Sequence, residues 1–239
     1  MIFSGLLPVL PMVIFATHMA AGNAFAQASC SSDGQQPPTA LVERFISADC
    51  DTCWRDPATA NPKKGELAVD WIVPTARGDD APLSSAATRE AQFRLDAIQK
   101  AAPKTTFNLR RQTFARPLPL RVALGVALGG YIGASIALTP LRGDSLPIHA
   151  MTAHLLLVEE IPAGTDGTHV ARNLVRNSLE IIWNEPEQSV PQANARKRLY
   201  ESRPMSIPQG TNPDRLRVVG WVDDANGMVI AGAASFCAK

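Results

Sequence analysis

Leu41-Val42-Glu43-Arg44-Phe45-Ile46-Ser47-Ala48-Asp49-Cys50-Asp51-Thr52-Cys53 reads as a strand that closes on a pair of cysteines. Val, Phe and Ile enrich the run from Leu41 to Ser47, and such side chains suit a half-buried pleated surface. Only two residues separate Cys50 from Cys53, so their sulfurs can close a small reactive ring. These two are the candidate catalytic residues, with Asp49 and Trp54 beside them as candidate supporting residues. Trp54 suits a shield or docking surface for a disulfide, and equally a half-buried packing residue.

Upstream, residues 1–26 carry no Lys, Arg, Asp or Glu. An apolar stretch from Leu6 to Met19 leads into Ala24-Phe25-Ala26, an A-x-A-like cleavage site. A signal peptide over 1–26 is therefore expected, although the usual basic n-region is missing. Pro8, Pro11 and His18 break the stretch and make it a poor membrane span. A lipid anchor on Cys30 is the rival, but Gln27 stands where such sites favour an apolar residue. The expected location is periplasmic or secreted, with no stable membrane span after cleavage.

Removing residues 1–26 leaves all four cysteines and the net charge of +1. The remaining chain suffices for one sizeable domain or two small ones. Near-neutral charge gives no electrostatic footprint for nucleic acid or an anionic membrane. Arg110-Arg111 and Arg196-Lys197-Arg198 are clustered basic residues and read as solvated surface. In an oxidising compartment four cysteines allow three pairings. Proximity favours Cys50 with Cys53, which leaves Cys30 and Cys237 near the two ends of the mature chain. Such ends often lie close together. That second bond reads as structural, and closing so long a loop stabilises by about 4–5 kcal/mol in the loop-entropy account.

Along the chain, Ser31 to Thr39 is polar, contains Pro37-Pro38 and reads as a lead-in. Leu67 to Val73 is a second apolar strand, ending at Pro74. Ser84 to Ala101 carries Ala87, Ala91, Leu95 and Ile98 at near-helical spacing and predicts a helix capped by Ser85. The first half thus reads β–short α–β–α, the opening of an α/β domain. Further on, Leu120, Val122, Leu124 and Val126 alternate with smaller or charged residues, and Ile132, Ala134, Ile136 and Leu138 repeat the pattern after Gly129-Gly130. This predicts a β-hairpin; the rival, a membrane helix over the uncharged Val122 to Leu138, fits the glycines and the period of two less well. Leu155 to Val158 is a strand, and Arg215 to Val222 with Met228 to Ala234 form a closing hairpin, so the second half is mostly antiparallel β.

The run from Leu41 to Cys53 resembles the opening V-E-L-F-T-S-x-G-C-x-x-C pattern of an uncharacterised secreted bacterial family, the domain of unknown function twelve twenty-three. Val69-Asp70-Trp71 falls where that family has V-D-Y-W, and Asn173-Leu174-Val175-Arg176 is similar to its N-V-V-R element. The resemblance implies a thioredoxin-like α/β part over 40–116 that carries the C-x-x-C, then a β-rich part over 117–239. Departures accompany it. Asp49 replaces the family's Gly, and Trp54-Arg55 replaces Pro-Pro. Pro57 and Pro62 leave room for little more than one helical turn after Cys53. Asp49 and Asp51 put negative charge beside Cys50, which opposes thiolate formation, and Arg55 or Lys63-Lys64 are the nearest compensating cations. The Thr-Pro with a cis peptide that faces the thiols in thioredoxin-like sites has no counterpart near 105–111; Pro103 is the nearest proline.

Two functions follow. In one, Cys50 attacks, Cys53 resolves, and the protein exchanges disulfides with exported thiol proteins. In the other, Cys50–Cys53 is static and the chain is a periplasmic binding or structural module. A third reading makes the sulfurs ligands for Cu(I) or Zn(II) with His149, His154 or His169. No second C-x-x-C and no H-x-x-x-H supports it, so no metal or other cofactor is expected. Arg77-Gly78-Asp79 and Arg142-Gly143-Asp144 read as turns. No G-x-S-x-G, P-loop or G-x-G-x-x-G occurs, and Glu159-Glu160 and Glu185/Glu187 lack any inferable pocket.

Overall fold

The computed structural model describes residues 1, 30–59, 61–113, 117–139, 151–183 and 199–237. The expected signal peptide, His149, Arg142-Gly143-Asp144, Glu185, Glu187 and Arg196-Lys197-Arg198 lie outside the described residues. In chain order the elements are β1 (Cys30–Ser31), β2 (Ala40–Ser47), α1 (Asp51–Arg55), β3 (Glu66–Val73), α2 (Arg89–Ala97), β4 (Thr106–Gln112) and β5 (Leu120–Leu128). They continue with β6 (Tyr131–Leu138), β7 (Met151–Ile161), β8 (Arg172–Trp183), β9 (Leu199–Ser206), β10 (Leu216–Asp223) and β11 (Val229–Ala234).

Two sheets form. One has four strands in the order β1-β5-β6-β9, the other seven in the order β11-β10-β7-β8-β3-β2-β4. Every pairing is antiparallel except β2 with β3 and β3 with β8. The β5–β6 hairpin turns on Gly129 and Gly130 at φ 59° and 80°, the two positive values that a two-residue hairpin loop of right-handed twist requires. Its inward residues Val122, Leu124, Ile136 and Leu138 meet Leu155, Leu157, Val218 and Val222 of the large sheet. The sheets approach closely at Gly220, where an added Cβ would lie 2.7 Å from Val122 Cγ1 and 2.9 Å from Ile136 Cδ1. Only glycine fits there.

The expected α/β class, with a thioredoxin-like first domain and a separate β extension, is not what the chain builds. The described structure is mostly β, a sandwich-like pair of sheets with two short helices of five and nine residues. An α/β fold needs helices over both faces of a parallel sheet. Here the link from β2 to β3 contains only α1, and α2 covers part of one face. The boundary drawn at 116/117 does not divide the sheet either: β3 of the first half pairs in parallel with β8 of the second, Asp70 opposite Leu174. The seven-stranded sheet takes β2, β3 and β4 from one side of that boundary and β7, β8, β10 and β11 from the other.

Helix α2 is also half the predicted length. Ser84–Ala86 form a 3-10 turn, Ala87 is extended, and the cap is Thr88, whose hydroxyl accepts from the Ala91 amide at 3.3 Å. Gln99, at φ 55°, takes the left-handed position that ends the helix. Ala91 and Leu95 dock the helix on a cluster with Phe45, Trp71, Leu156 and Trp221. On the opposite face of the sheet Ile46, Ile72 and Leu174 pack with Trp54 of α1. Adjacent residues of a strand point to opposite faces, so Phe45/Ile46 and Trp71/Ile72 mark the two sides. No helix among the described residues is long and apolar enough to cross a membrane.

Candidate functional site

Strand β2 delivers the cysteine pair to the end of the sheet. Past Ser47 the chain turns: the Cys50 amide donates to the Ser47 carbonyl at 2.9 Å, and the Asp49 amide to Ser47 Oγ at 3.3 Å. Cys50 is the N-cap of α1, and its carbonyl accepts from the Cys53 and Trp54 amides at 3.0 and 3.3 Å. The helix stops at Arg55 because Asp56 precedes Pro57 and is forced to extended backbone, φ −61° and ψ 113°. One turn suffices to bring the cysteine Cα atoms to 5.2 Å, and the two form a disulfide. Cys30 and Cys237 form the other. Both cysteines of the C-x-x-C are partly exposed; Cys53 packs on the α1 cluster, whereas Cys50 sits at the outer end with its Sγ 3.5 Å from Thr52 Oγ1.

The two acids flanking Cys50 are each met by a cation. Asp51 pairs with Arg55 one turn along α1. Asp49 accepts from Thr75 Oγ1 at 3.0 Å and lies 3.8 Å from Arg77. These exposed pairs contribute little stability, yet they offset the negative charge that sequence reading set against a Cys50 thiolate.

Trp54 is buried, so the packing role is the one it fills. Its Nε1 donates to the Asp166 carbonyl at 2.8 Å, which ties α1 to the loop between β7 and β8. Asp166 has φ 47°, a left-handed conformation uncommon outside glycine and asparagine, and its carboxylate binds Arg215 at 2.6 Å. Under the indole lies Arg172 of β8. Its Nη2 donates to the Trp54 carbonyl at 2.9 Å and weakly to the Cys53 carbonyl at 3.4 Å. Its Nη1 donates to Asp70 Oδ1 at 2.9 Å, and its Nε to Thr168 Oγ1 at 3.1 Å.

Asp70, fully buried on β3, also accepts from Arg44 Nη2 at 2.7 Å and from the Asn173 amide at 3.1 Å. Two guanidinia thus share one carboxylate. Burial pushes the Arg172 guanidinium below its ordinary range, with Asp70 opposing that shift. Sequence reading passed over Arg44, Asp70 and Arg172. The signal was present: a charge inside an apolar strand, as in Leu67-Ala68-Val69-Asp70-Trp71, must find a buried partner. Beside this network a cleft of about 380 Å³ runs past Trp54, Leu83, Ile161, Leu174, Arg176 and Arg215.

A second buried charge set occupies the α2 face. Glu43 accepts Arg94 through two bonds of 2.7 and 2.8 Å, and Arg111 at 3.2 Å. Arg111 continues to Asp223 at 2.8 Å, and Asp223 lies 3.2 Å from His154 Nε2. Burial pushes the Arg94 guanidinium down, but its bonds to Glu43 outweigh that and hold it above its ordinary range. Of the histidines named as metal ligands, the two described ones do not gather at the cysteines. His154 is on this opposite face, His169 is exposed, and no metal-holding cluster of His, Cys, Asp or Glu occurs among the described residues. No cis peptide bond occurs among them either. Beyond Pro103 the chain runs along β2 as β4, with the Thr105 carbonyl accepting from the Ser47 amide at 2.8 Å.

No protein-family model matches the chain, and no curated protein matches it. Among solved structures, HBP35 of Porphyromonas gingivalis superposes with a TM-score of 0.44 at 11% identity. The superposition covers 84% of this chain and 76% of that one.

Proposed function

We propose that this is an exported protein that exchanges disulfides with thiol proteins through Cys50 and Cys53, as a divergent relative of the secreted family its C-x-x-C resembles. One observation carries the reading: Cys50 caps the first turn of α1 at the partly exposed end, while Cys53 packs inward on the hydrophobic cluster. A thiolate at a helix N-cap faces unpaired backbone amides, which favour its charge. Pairing of Asp49 with Arg77 and of Asp51 with Arg55 supports the same reading. Two disulfides suit an oxidising compartment.

The chemistry balances as two displacements. A substrate thiolate attacks Cys50 Sγ, the Cys50–Cys53 bond breaks, and Cys53 leaves as a thiolate. A second substrate thiolate attacks the substrate sulfur of the mixed disulfide and expels Cys50. Two electrons pass from the substrate dithiol to the protein, and the two substrate thiol protons end on Cys50 and Cys53.

The test uses the purified protein, a model dithiol and oxidised glutathione, which supplies the disulfide that a free Cys50 attacks and reoxidises the wild type. Cys53→Ser should accumulate a mixed disulfide through Cys50, and Cys50→Ser should abolish turnover. Wild-type turnover no greater than that of Cys50→Ser would sink the proposal. The second reading, a static disulfide in a binding or structural module, draws on the five-residue length of α1. It requires a reduction potential for Cys50–Cys53 below about −300 mV.

A further inference from the structure

The seven-stranded sheet ends in two edge strands, β11 and β4, and the described residues cover only the first. At β11 the Ile230 carbonyl accepts from the Leu118 amide at 2.9 Å, and Pro38 lies so close to Gly232 that an added Cβ would sit 2.8 Å from its ring. Strand β4 has neither proline nor bulge, the usual means of stopping an edge from pairing further. Its register with β2 runs unbroken from Gln112 opposite Ala40 to Thr106 opposite Ile46.

The two ends of that register show which way the backbone of β4 points. The Ser47 amide donates to the Thr105 carbonyl at 2.8 Å, and the Thr113 amide donates to the Thr39 carbonyl at 3.1 Å. Along an antiparallel strand, residues alternate between turning their amide and carbonyl to one neighbour and to the other. Residues 105, 107, 109, 111 and 113 therefore bond β2, while Thr106, Asn108, Arg110 and Gln112 turn theirs outward. Thr113 forms a parallel bridge with Val229 of β11, which closes that end of the edge. Among the described residues nothing bonds the outward backbone groups of Thr106, Asn108 and Arg110.

The side chains of the open stretch, 106–110, divide between the two faces. Phe107 and Leu109 are half-buried on the α2 face, where Phe107 stacks on Phe45 with ring centres 5.9 Å apart. Thr106, Asn108 and Arg110 are exposed on the other face, and Glu66 meets the Arg110 charge at 2.6 Å.

We infer that residues 106–110 pair antiparallel with the same stretch of a second copy, about a two-fold axis at Asn108, and join the two large sheets into one. Only this register pairs the open stretch with itself along its whole length. It sets Phe107 opposite Leu109 of the second copy, twice, and extends the half-buried apolar row across the interface. Arg110 faces Thr106, so no like charges are opposed. A slip one way sets Lys104 against Arg110; a slip the other way sets Phe107 against Arg111 and runs into β11. The pairing involves neither Cys50 nor Cys53.

Analytical ultracentrifugation of the full protein, with both disulfides formed, tests this. So short a paired stretch makes an interface of the small, transient class, and the wild type should dimerise reversibly below about 1 mM. Asn108→Lys and Asn108→Glu change an exposed side chain whose backbone groups do not bond β2, so the monomer keeps its fold. Each alone puts two like charges directly opposite and should weaken the dimer by about fivefold. An equimolar mixture of the two should restore it as a heterodimer. The inference is overturned if the wild type is monomeric up to about 1 mM, if both variants dimerise like the wild type, or if the mixture associates no better than either alone. Stronger association of Asn108→Glu by itself would also overturn it, because that places residue 108 opposite Arg110.

Discussion

Arg172 holds Trp54 by both its ring and its backbone: the guanidinium lies 4.9 Å from the indole centre, and Nη2 donates to the Trp54 carbonyl at 2.9 Å. One side chain from β8 therefore anchors the helix that carries Cys53, although the two residues are far apart in sequence. It also closes the end of α1, because a cation at the last carbonyls suits the negative end of the helix dipole. Arg172→Met would strand Asp70 with Arg44 as its sole guanidinium partner and leave the α1 carbonyls without that donor. Breaking a buried pair in this way should cost about 3–5 kcal/mol in urea unfolding. Arg172→Lys, which keeps the charge but loses the planar fork, should recover only part of it.

The two disulfides should separate cleanly by their contribution to stability. Cys30 and Cys237 are 207 residues apart in sequence, Cys50 and Cys53 only three. Because the loop-closure contribution grows with the logarithm of loop length, replacing Cys30 and Cys237 by Ser should cost about 5 kcal/mol, and replacing Cys50 and Cys53 no more than about 2 kcal/mol. Thermal midpoints of the two double variants would measure the contrast. Equal losses would contradict it.

Acid should act through Asp223. Burial alone raises its carboxyl pKa, but the His154 contact and the Arg111 charge outweigh burial and hold it below the ordinary carboxylate range. A folded pKa below the unfolded value near 3.9 means that folding favours the ionised form. Its contribution is complete above that unfolded value and fades as pH falls through the lower folded one. Urea midpoints between about pH 5 and pH 2 should therefore fall more steeply for the wild type than for Asp223→Asn. Parallel slopes would remove Asp223 from the acid response.

Gly220 sets the distance between the sheets. A methyl group there meets Val122 and Ile136 side chains inside 3.0 Å and the His154 carbonyl at 3.2 Å. Gly220→Ala should cost about 1–3 kcal/mol through overpacking, and trimming the opposing side chain with Ile136→Val in the same protein should return part of the loss. Full additivity of the two substitutions would show that they do not meet.

Much of the local structure was legible because it rests on neighbours in sequence. The β5–β6 hairpin follows from alternation about Gly129-Gly130, and β2, β3, β10 and β11 from apolar runs. What was not legible rests on distant partners. Strand β8 interleaves Arg172, Arg176 and Glu180 with its apolar residues, and the burial of Arg172 and partial burial of Arg176 become possible only through Asp70 and Glu159. Without those partners β8 has no visible place beside β3, whereas the α/β reading rests on the β–short α–β–α pattern of the first half and on the family resemblance. The helix was over-read for a different reason: Ala87 and Ile98 continue the helical spacing, but one is extended backbone and the other is the C-cap. At the site, the acids beside Cys50 were visible, while the arginines facing them were settled only by the fold.

The Cys30–Cys237 bond makes nearly the whole described chain a covalent ring. A protease cutting once within it would open the ring without releasing a fragment until the bond is reduced. Chain order also gives Cys30 a bookkeeping problem during synthesis: Cys50 and Cys53 emerge long before its true partner. Each is a wrong match available early. Once Cys50 and Cys53 are bonded to each other, neither is left to pair with Cys30, so the short bond favours correct closure of the long one.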